Sequence, residues 1–491
     1  MIRWMTTVAL VAGMVVSIPS AAQAVTDRPS TEGTWLVDPS GRALVVHGVN
    51  MVNKLGSYAP DATGFGDDDA AFLAANGLDS VRLGVIWKAV EPAPGQYDDA
   101  YLARIRETVQ TLERHGVSTM LDFHQDMFNE RFEGEGAPDW AVQDDGLPAE
   151  PKLGFNKNYL AMFALNRAYD NFWANRKGPG GVGLQDRYAA AWGHVAEYFA
   201  DTAGVMSFDL FNEPWPGTGY AMCALPIGCP IQDAALTRFS QRVIDKIRAV
   251  DQRTVTFYEP YALFNNGIRT HVAPRGAELG FSFHTYCLTA TFLGRGLLGS
   301  YGLDCAAMDG LVFANAAAHA KQRQVLPLLT EFGGTTNTDI NTAVVDQAAK
   351  HQIGWMYWAY CGCNDPTGAR PADDQAIVLD PAIAPTGANV AIDVLRSIAV
   401  AHPKAVAGTP GAYRFDRSTS RFTFSWTPRK VGGGVFGAGA RTTVATPAVQ
   451  YPRGYEVRVS GAKVVSAANA PTLVLAQVGT PSTVSVTVVP R

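Results

Sequence analysis

Val205-Met206-Ser207-Phe208-Asp209-Leu210-Phe211-Asn212-Glu213-Pro214 is a largely apolar run that stops at an acid and a proline. Four to eight such residues bounded by a breaker read as a strand buried on both faces. Comparable runs occur at Leu44–Val49, Ser80–Val85, Ser118–Phe123, Thr254–Phe257, Gly280–His284, Val325–Thr330 and Gly354–Trp358. Amphipathic stretches lie between them, including Ala100–His115, Arg187–Ala200, Ala234–Val250 and Met308–Gln322. Asp98-Asp99 before Tyr101 is a helix-start signal. Eight buried strands alternating with helices predict an α/β fold of the (β/α)₈ (TIM) barrel type. A doubly wound open sheet is the alternative, but no G-x-G-x-x-G follows the first run.

The barrel is expected over residues 30–404. Beyond about Val406 the period changes to two: Arg421–Trp426, Gly454–Val459, Lys463–Val465, Thr472–Ala476 and Thr483–Val489 alternate apolar and polar residues between Gly, Pro and Asn. A small antiparallel β-sandwich is therefore expected over residues 405–491. Gly432–Gly439 reads as a flexible loop. The connection from Asp126 to about Gln185 is too long for a plain turn and leaves the face where barrels place their chemistry.

At the other end, Arg3, the apolar Val8–Ile18 and the small-x-small Ala22-Gln23-Ala24 read as an export signal over residues 1–24, too short in its apolar part to span a bilayer. A secreted protein is expected, so the six cysteines should be oxidised. Cys223 with Cys229 and Cys287 with Cys305 are the natural local pairs; Cys361 and Cys363 either bridge each other or reach another loop. Zinc is disfavoured, because no paired C-x-x-C units with matched histidines occur. The 491 residues carry 40 Lys+Arg against 45 Asp+Glu, a net charge of −5, which leaves no electrostatic footprint for nucleic acid. A neutral substrate is expected, with no metal or cofactor, and a monomer.

The chemistry sits at two strand ends. Glu213 closes the fourth run, and Leu329-Thr330-Glu331-Phe332-Gly333 puts Glu331 at the end of the seventh. In a closed barrel these ends face each other across the mouth. One carboxyl can protonate a leaving oxygen while the other attacks the anomeric carbon, and a separation of about 5–5.5 Å enforces retention. The bland reading is a pair of salt-bridged strand-end acids.

Asn212-Glu213-Pro214 and Glu331-Phe332-Gly333 resemble the acid/base and nucleophile motifs of glycoside hydrolase family 5. Arg82 in Val81-Arg82-Leu83, His124 in Asp122-Phe123-His124-Gln125-Asp126, His284 and Tyr286 in His284-Thr285-Tyr286, and Trp358 in Tyr357-Trp358 match that family's motifs in order. The chain is also similar to bacterial endoglycoceramidases through His47-Gly48-Val49-Asn50, Trp87 to Gly95, His124-Gln125-Asp126, Gly146-Leu147-Pro148, Asp170-Asn171-Phe172-Trp173 and Ala405–Pro410. The cysteine-bearing loops depart from that pattern. The resemblance implies hydrolysis of the bond between glycan and ceramide in a glycosphingolipid, with Glu331 as nucleophile and Glu213 as acid/base. It also implies substrate contacts from Lys54, Arg82, His124, Asp126, Trp173, Asn212, His284, Tyr286 and Trp358. Arg82 and Tyr286 would keep Glu331 ionised, Asn212 would meet the sugar 2-hydroxyl, and Trp358 would offer a ring to a sugar face. The alternatives are a secreted endo-β-glucanase or mannanase acting on polysaccharide, and a non-catalytic carbohydrate- or lipid-binding protein. Leu288–Leu298, with Phe292, Leu293, Leu297 and Leu298, is unusually apolar for a loop. It either packs on the body of the protein or contacts ceramide and, transiently, a membrane or micelle surface.

Overall fold

The computed structural model describes residues 28–223, 227–287, 289, 297, 300–368 and 371–491. The export signal lies outside these residues, as do Phe292, Leu293 and Leu298 of the apolar loop; Leu297 is exposed.

Eight parallel strands close into a barrel in sequence order: β1 His47–Met51, β2 Ser80–Val85, β3 Ser118–Phe123, β4 Val205–Asp209, β5 Val255–Tyr258, β6 Leu279–Thr285, β7 Leu326–Phe332 and β8 Gly354–Tyr357. β8 returns to β1 through Trp355 opposite His47 and Tyr357 opposite Val49. β2, β6 and β7 are buried at every position, as their largely apolar runs require. Amphipathic helices cover the outside, among them Asp99–Arg114, Leu184–Tyr198, Pro230–Arg248, Leu303–Arg323 and Thr338–His351. Asp98 caps the first of these, accepting from the Ala100 and Tyr101 amides. Between β5 and β6 the only helical piece is the 3₁₀ turn Ala262–Asn266, which lies over the mouth. The long β3 connection is not structureless. It holds the helices Lys157–Ala161 and Phe163–Trp173.

The expected start of the barrel at residue 30 needs correction. Ser30–Glu32, Trp35–Val37 and Ala43–Leu44 join the C-terminal domain, in a seven-stranded sheet with His402–Val406, Arg441–Ala445, Thr472–Gln477 and Ala462–Val464. Leu44 pairs with Ala405, and the Val45 amide donates to the Lys404 carbonyl at 2.9 Å. The run Leu44–Val49 thus changes sheets partway, which apolar periodicity cannot reveal because both sheets bury it. A four-stranded sheet of Thr409–Asp416, Arg421–Thr427, Val484–Pro490 and Tyr455–Ser460 completes the sandwich. Phe422, Phe424, Trp426, Val444, Leu475 and Val486 fill its core.

All six cysteines are bridged, Cys223 to Cys229, Cys287 to Cys305 and Cys361 to Cys363.

Candidate active site

Glu213 and Glu331 meet at the C-terminal mouth of the barrel. One oxygen of each and a ring nitrogen of His284 all lie within 4.8 Å of one another. Both acids line a cavity of about 340 Å³. Lys54, His124, Asp126 and Trp358, which touch one another, form its polar end, and Phe155, Leu160, Trp215, Leu263, Ile340 and Val344 are among the apolar residues of its lining.

Glu331 is held from two sides. Arg82 Nη1 donates to Oε1 at 2.7 Å and the Tyr286 hydroxyl donates to Oε2 at 3.0 Å. Burial raises its carboxyl above the ordinary value, while the charges of His284 and Arg82 pull it back. Burial, reinforced by the Glu331 charge, pushes the Tyr286 phenol well up, so it stays a donor. Arg82 is fully buried. Its guanidinium also meets Asp209 (2.9 Å), Asp122 (3.0 Å), Glu259 (3.0 Å), Asn212 (2.9 Å) and Asn50 (3.2 Å). It therefore lies beneath the site and cannot touch a substrate, contrary to the contact expected of it. A planar five-donor fork is the side chain that can serve so many oxygens at once.

Glu213 follows the end of β4 with a φ of 42°, unusual for a residue with a Cβ. Its amide is held by Glu259 Oε2 at 2.9 Å. Oε1 accepts from Asn265 Nδ2 at 2.6 Å and faces His284 Nδ1 at 2.9 Å. His284 is buried, and burial alone would discharge it. Glu331 and Glu259 outweigh that and raise it well above its ordinary value, so the ring is an imidazolium. With both ring nitrogens protonated, Nδ1 donates to Glu213. Asn212 spends its oxygen on Arg82 and donates to the Gln125 carbonyl at 3.0 Å, leaving one amide hydrogen free.

At the polar end Lys54 donates to Asp126 at 2.5 Å and to Thr367 at 2.6 Å, and meets Asp365 at 3.2 Å. Burial opposes its charge, but Asp126 and Asp365 outweigh burial and raise it. Its ammonium stands 4.5 Å from the centre of the Trp358 ring. Trp358 stacks on His124 and donates to Gln375 Oε1 at 2.6 Å. His124 is bound to Asp122 at 2.7 Å; burial opposes protonation, but Asp122 prevails and the ring is pushed up to about 10.

Of the expected substrate contacts, Arg82, His284 and Trp173 do not line the cavity; the first two lie buried behind the acids, and Trp173 lies elsewhere. Its indole donates to the Trp215 carbonyl at 2.7 Å and packs among Phe172, Phe211, Phe239 and Tyr261. Trp215, two residues after Glu213, takes the place at the wall. Glu259, Asn265, Asp365 and Thr367 were not foreseen either. Glu259-Pro260 ends an apolar run much as Glu213-Pro214 does, so it carried a usable signal; the other three had none.

A family model described as cellulase (glycosyl hydrolase family 5) matches residues 37–364, and one described as glycoside hydrolase family 5 C-terminal domain matches residues 401–488. The endoglycoceramidase I of Rhodococcus hoagii is 32% identical over 454 residues, covering 89% of this chain and 84% of its own. The endoglycoceramidase of Cyanea nozakii is 27% identical over 488 residues, covering 92% and 90%. Among solved structures, endo-glycoceramidase II from Rhodococcus sp. in complex with ganglioside GM3 superposes with a TM-score of 0.77 at 28% identity, over 93% of this chain and 99% of that one. The same enzyme as a lactosyl-enzyme intermediate gives 0.76 at 28% identity over the same shares.

Proposed function

Because this chain belongs to glycoside hydrolase family 5, we propose that it cleaves the β-glycosidic bond between the glycan and ceramide of glycosphingolipids by double displacement. The observation that carries this is the pair of acids with oxygens within 4.8 Å of each other, set in one cavity that is lined by a polar cluster and by apolar side chains. That separation leaves no room for a water between acid and sugar, so attack is direct and configuration is retained. Glu331 attacks the anomeric carbon while Glu213 gives its proton to the departing oxygen of ceramide. Glu213, now a carboxylate, takes a proton from water, whose oxygen displaces Glu331. The free amide hydrogen of Asn212 is available to the sugar 2-hydroxyl, and Lys54, Asp126 and His124 present charged groups to the hydroxyls beyond it. Trp358 offers its face to the ring.

The apolar lining suits the lipid. Leu160 belongs to it and is more than half exposed, and Phe163, three residues on, is exposed too. Met222 and Ile227, beside the Cys223–Cys229 bridge, and Leu297 add exposed apolar groups on the loops after β4 and β6. These support transient contact with a membrane or micelle surface, and the enzyme is proposed to be exported and to act as a monomer. The leader-like residues 1–24 and the three bridges support export. Polysaccharide as substrate would call for an open cleft lined by successive aromatics; the enclosed Lys54–Asp126 end argues against one.

The test is incubation with a panel of glycosphingolipids, with mass identification of both products. An intact glycan together with free ceramide is expected. Unchanged lipids beside degraded glucan or mannan would overturn the assignment, and turnover of neither would return the chain to the non-catalytic reading.

A further inference from the structure

We infer that Asn265 is a positioning residue for the acid/base, fixing Glu213 Oε1 as the acceptor so that Oε2 carries the proton that is transferred. The inference rests on the proposed double displacement and assigns a role to a residue with no motif of its own.

Three observations converge on it. First, Asn265 Nδ2 stands 2.6 Å from Glu213 Oε1, and the residue is buried at the wall of the cavity. Second, β5 continues not into a covering helix but into the 3₁₀ turn Ala262–Asn266, closed by Gly267 at φ 81°. That turn is anchored by the Ala262 amide on the Pro214 carbonyl at 2.9 Å, directly after the acid. Asn315 Nδ2 holds the Gly267 carbonyl at 2.9 Å from the far side. The amide of Asn265 is therefore tied at both ends of its turn, one end to the chain that carries Glu213. Third, Oε1 receives both of the side-chain contacts that Glu213 makes among the described residues, from Asn265 and from His284. Oε2 is left to bear hydrogen.

The chemistry explains why a neutral donor is useful here. The charged and titratable groups around Glu213 include His284 on β6, Glu331 on β7, Glu259 after β5 and the phenols of Tyr286, Tyr159 and Tyr169. An amide neither gains nor loses a proton across this range. Its hydrogen bond tightens as Glu213 becomes a carboxylate, when the bond from anomeric carbon to glycosidic oxygen breaks and the proton moves to that oxygen. It relaxes when water returns the proton in the second step.

Two variants test this, Asn265→Ala and the isosteric Asn265→Asp, the second keeping the shape of the turn. The measurements are the pH profile of kcat/KM and the ratio of kcat/KM between two β-glycosides of the same sugar, one with an alkyl and one with a 2,4-dinitrophenyl leaving group. Losing this donor removes a hydrogen bond that favours the carboxylate formed as the glycosidic bond breaks. The alkaline limb should move up by about one pH unit in Asn265→Ala and further in Asn265→Asp, where a second carboxyl faces the first. The alkyl substrate, which needs the acid, should lose roughly tenfold more activity than the dinitrophenyl one, which does not. An unmoved alkaline limb in the folded Asn265→Asp enzyme, or an equal loss on both substrates, would overturn the assignment. A wild-type enzyme inactive on either glycoside would instead sink the double displacement itself.

Discussion

Arg82→Lys keeps the charge beneath the site and removes the fork. In the wild type, six side-chain oxygens lie within 3.2 Å of the guanidinium, those of Asn50, Asp122, Asp209, Asn212, Glu259 and Glu331. An ammonium has three donors on one atom. Even perfectly placed, it leaves half of these oxygens without their partner in a fully buried setting. If both amide oxygens are the first to be abandoned, the third is a carboxylate. A hydrogen bond to a charged group contributes about 1.5–3 kcal/mol, so the net loss should be on the order of 5 kcal/mol. For a domain of this size that lowers Tm by roughly 5 °C or more. The second effect is on chemistry. Glu331 loses its closest donor, and because burial already raises its carboxyl, it should rise further. The acid limb of kcat/KM, which reports the free enzyme's ionised nucleophile, should move to higher pH by about one unit. Calorimetry and a pH series on an aryl β-glycoside read both effects. A variant that melts within a degree of wild type with an unmoved acid limb would refute the view that one guanidinium organises this floor.

Tyr286→Phe should act on the same limb by itself. The hydroxyl donates to Glu331 at 3.0 Å, and its loss disfavours the carboxylate, so kcat/KM should fall away at a pH about one unit higher than in wild type, with little change in melting temperature. A pH series that leaves the limb in place would show that the phenol orients substrate rather than the acid. A third expectation concerns the join between barrel and sandwich. His47 on β1 stacks between Trp355 and His402, with neither ring nitrogen hydrogen-bonded, and burial, with His402 adding to it, holds its pKa well below 6.5. Asp79 and Lys404 are the other charges at that junction. A depressed histidine stabilises the fold in full above about pH 6.5, and that contribution is lost as pH falls toward the folded-state value, at about 1.4 kcal/mol per unit. Melting curves from pH 7.5 to 5.0 should therefore slope less steeply for His47→Phe than for wild type; parallel slopes would remove His47 from the acid sensitivity.

How much of this was legible follows from what each residue has to satisfy. Glu213 and Glu331 stand where a largely apolar run meets the C-terminal end of a barrel strand, so the strand pattern and the acid that ends it were enough to set them face to face. Glu259 obeys the same rule after Val255–Tyr258, yet without a family motif it reads as an ordinary strand-end acid. Its role emerges only when Arg82, His284 and the Glu213 amide converge on it in space. Trp173 misled for the opposite reason. It ends an amphipathic helix, Phe163–Trp173, and its ring serves the face that packs on Phe211 and Phe239. An aromatic beside a site and an aromatic in the core have the same sequence signature.

The deeper limit is that a sequence shows which groups are ionisable but not which share a charge. Among the described residues, Asp122, Asp209, Glu259 and Glu331 surround one arginine. Four carboxylates and one guanidinium cannot all be charged in a buried space without further compensation. His284 supplies some of it by becoming an imidazolium, and Asp209 supplies more by being driven well up by burial, against the pull of Arg82. The electrostatic state of Glu331 is thus set by strands β2, β3, β4, β5 and β6 together. That is why the nucleophile must sit on a closed barrel: an open sheet would bring it two neighbouring strands, and the floor needs five.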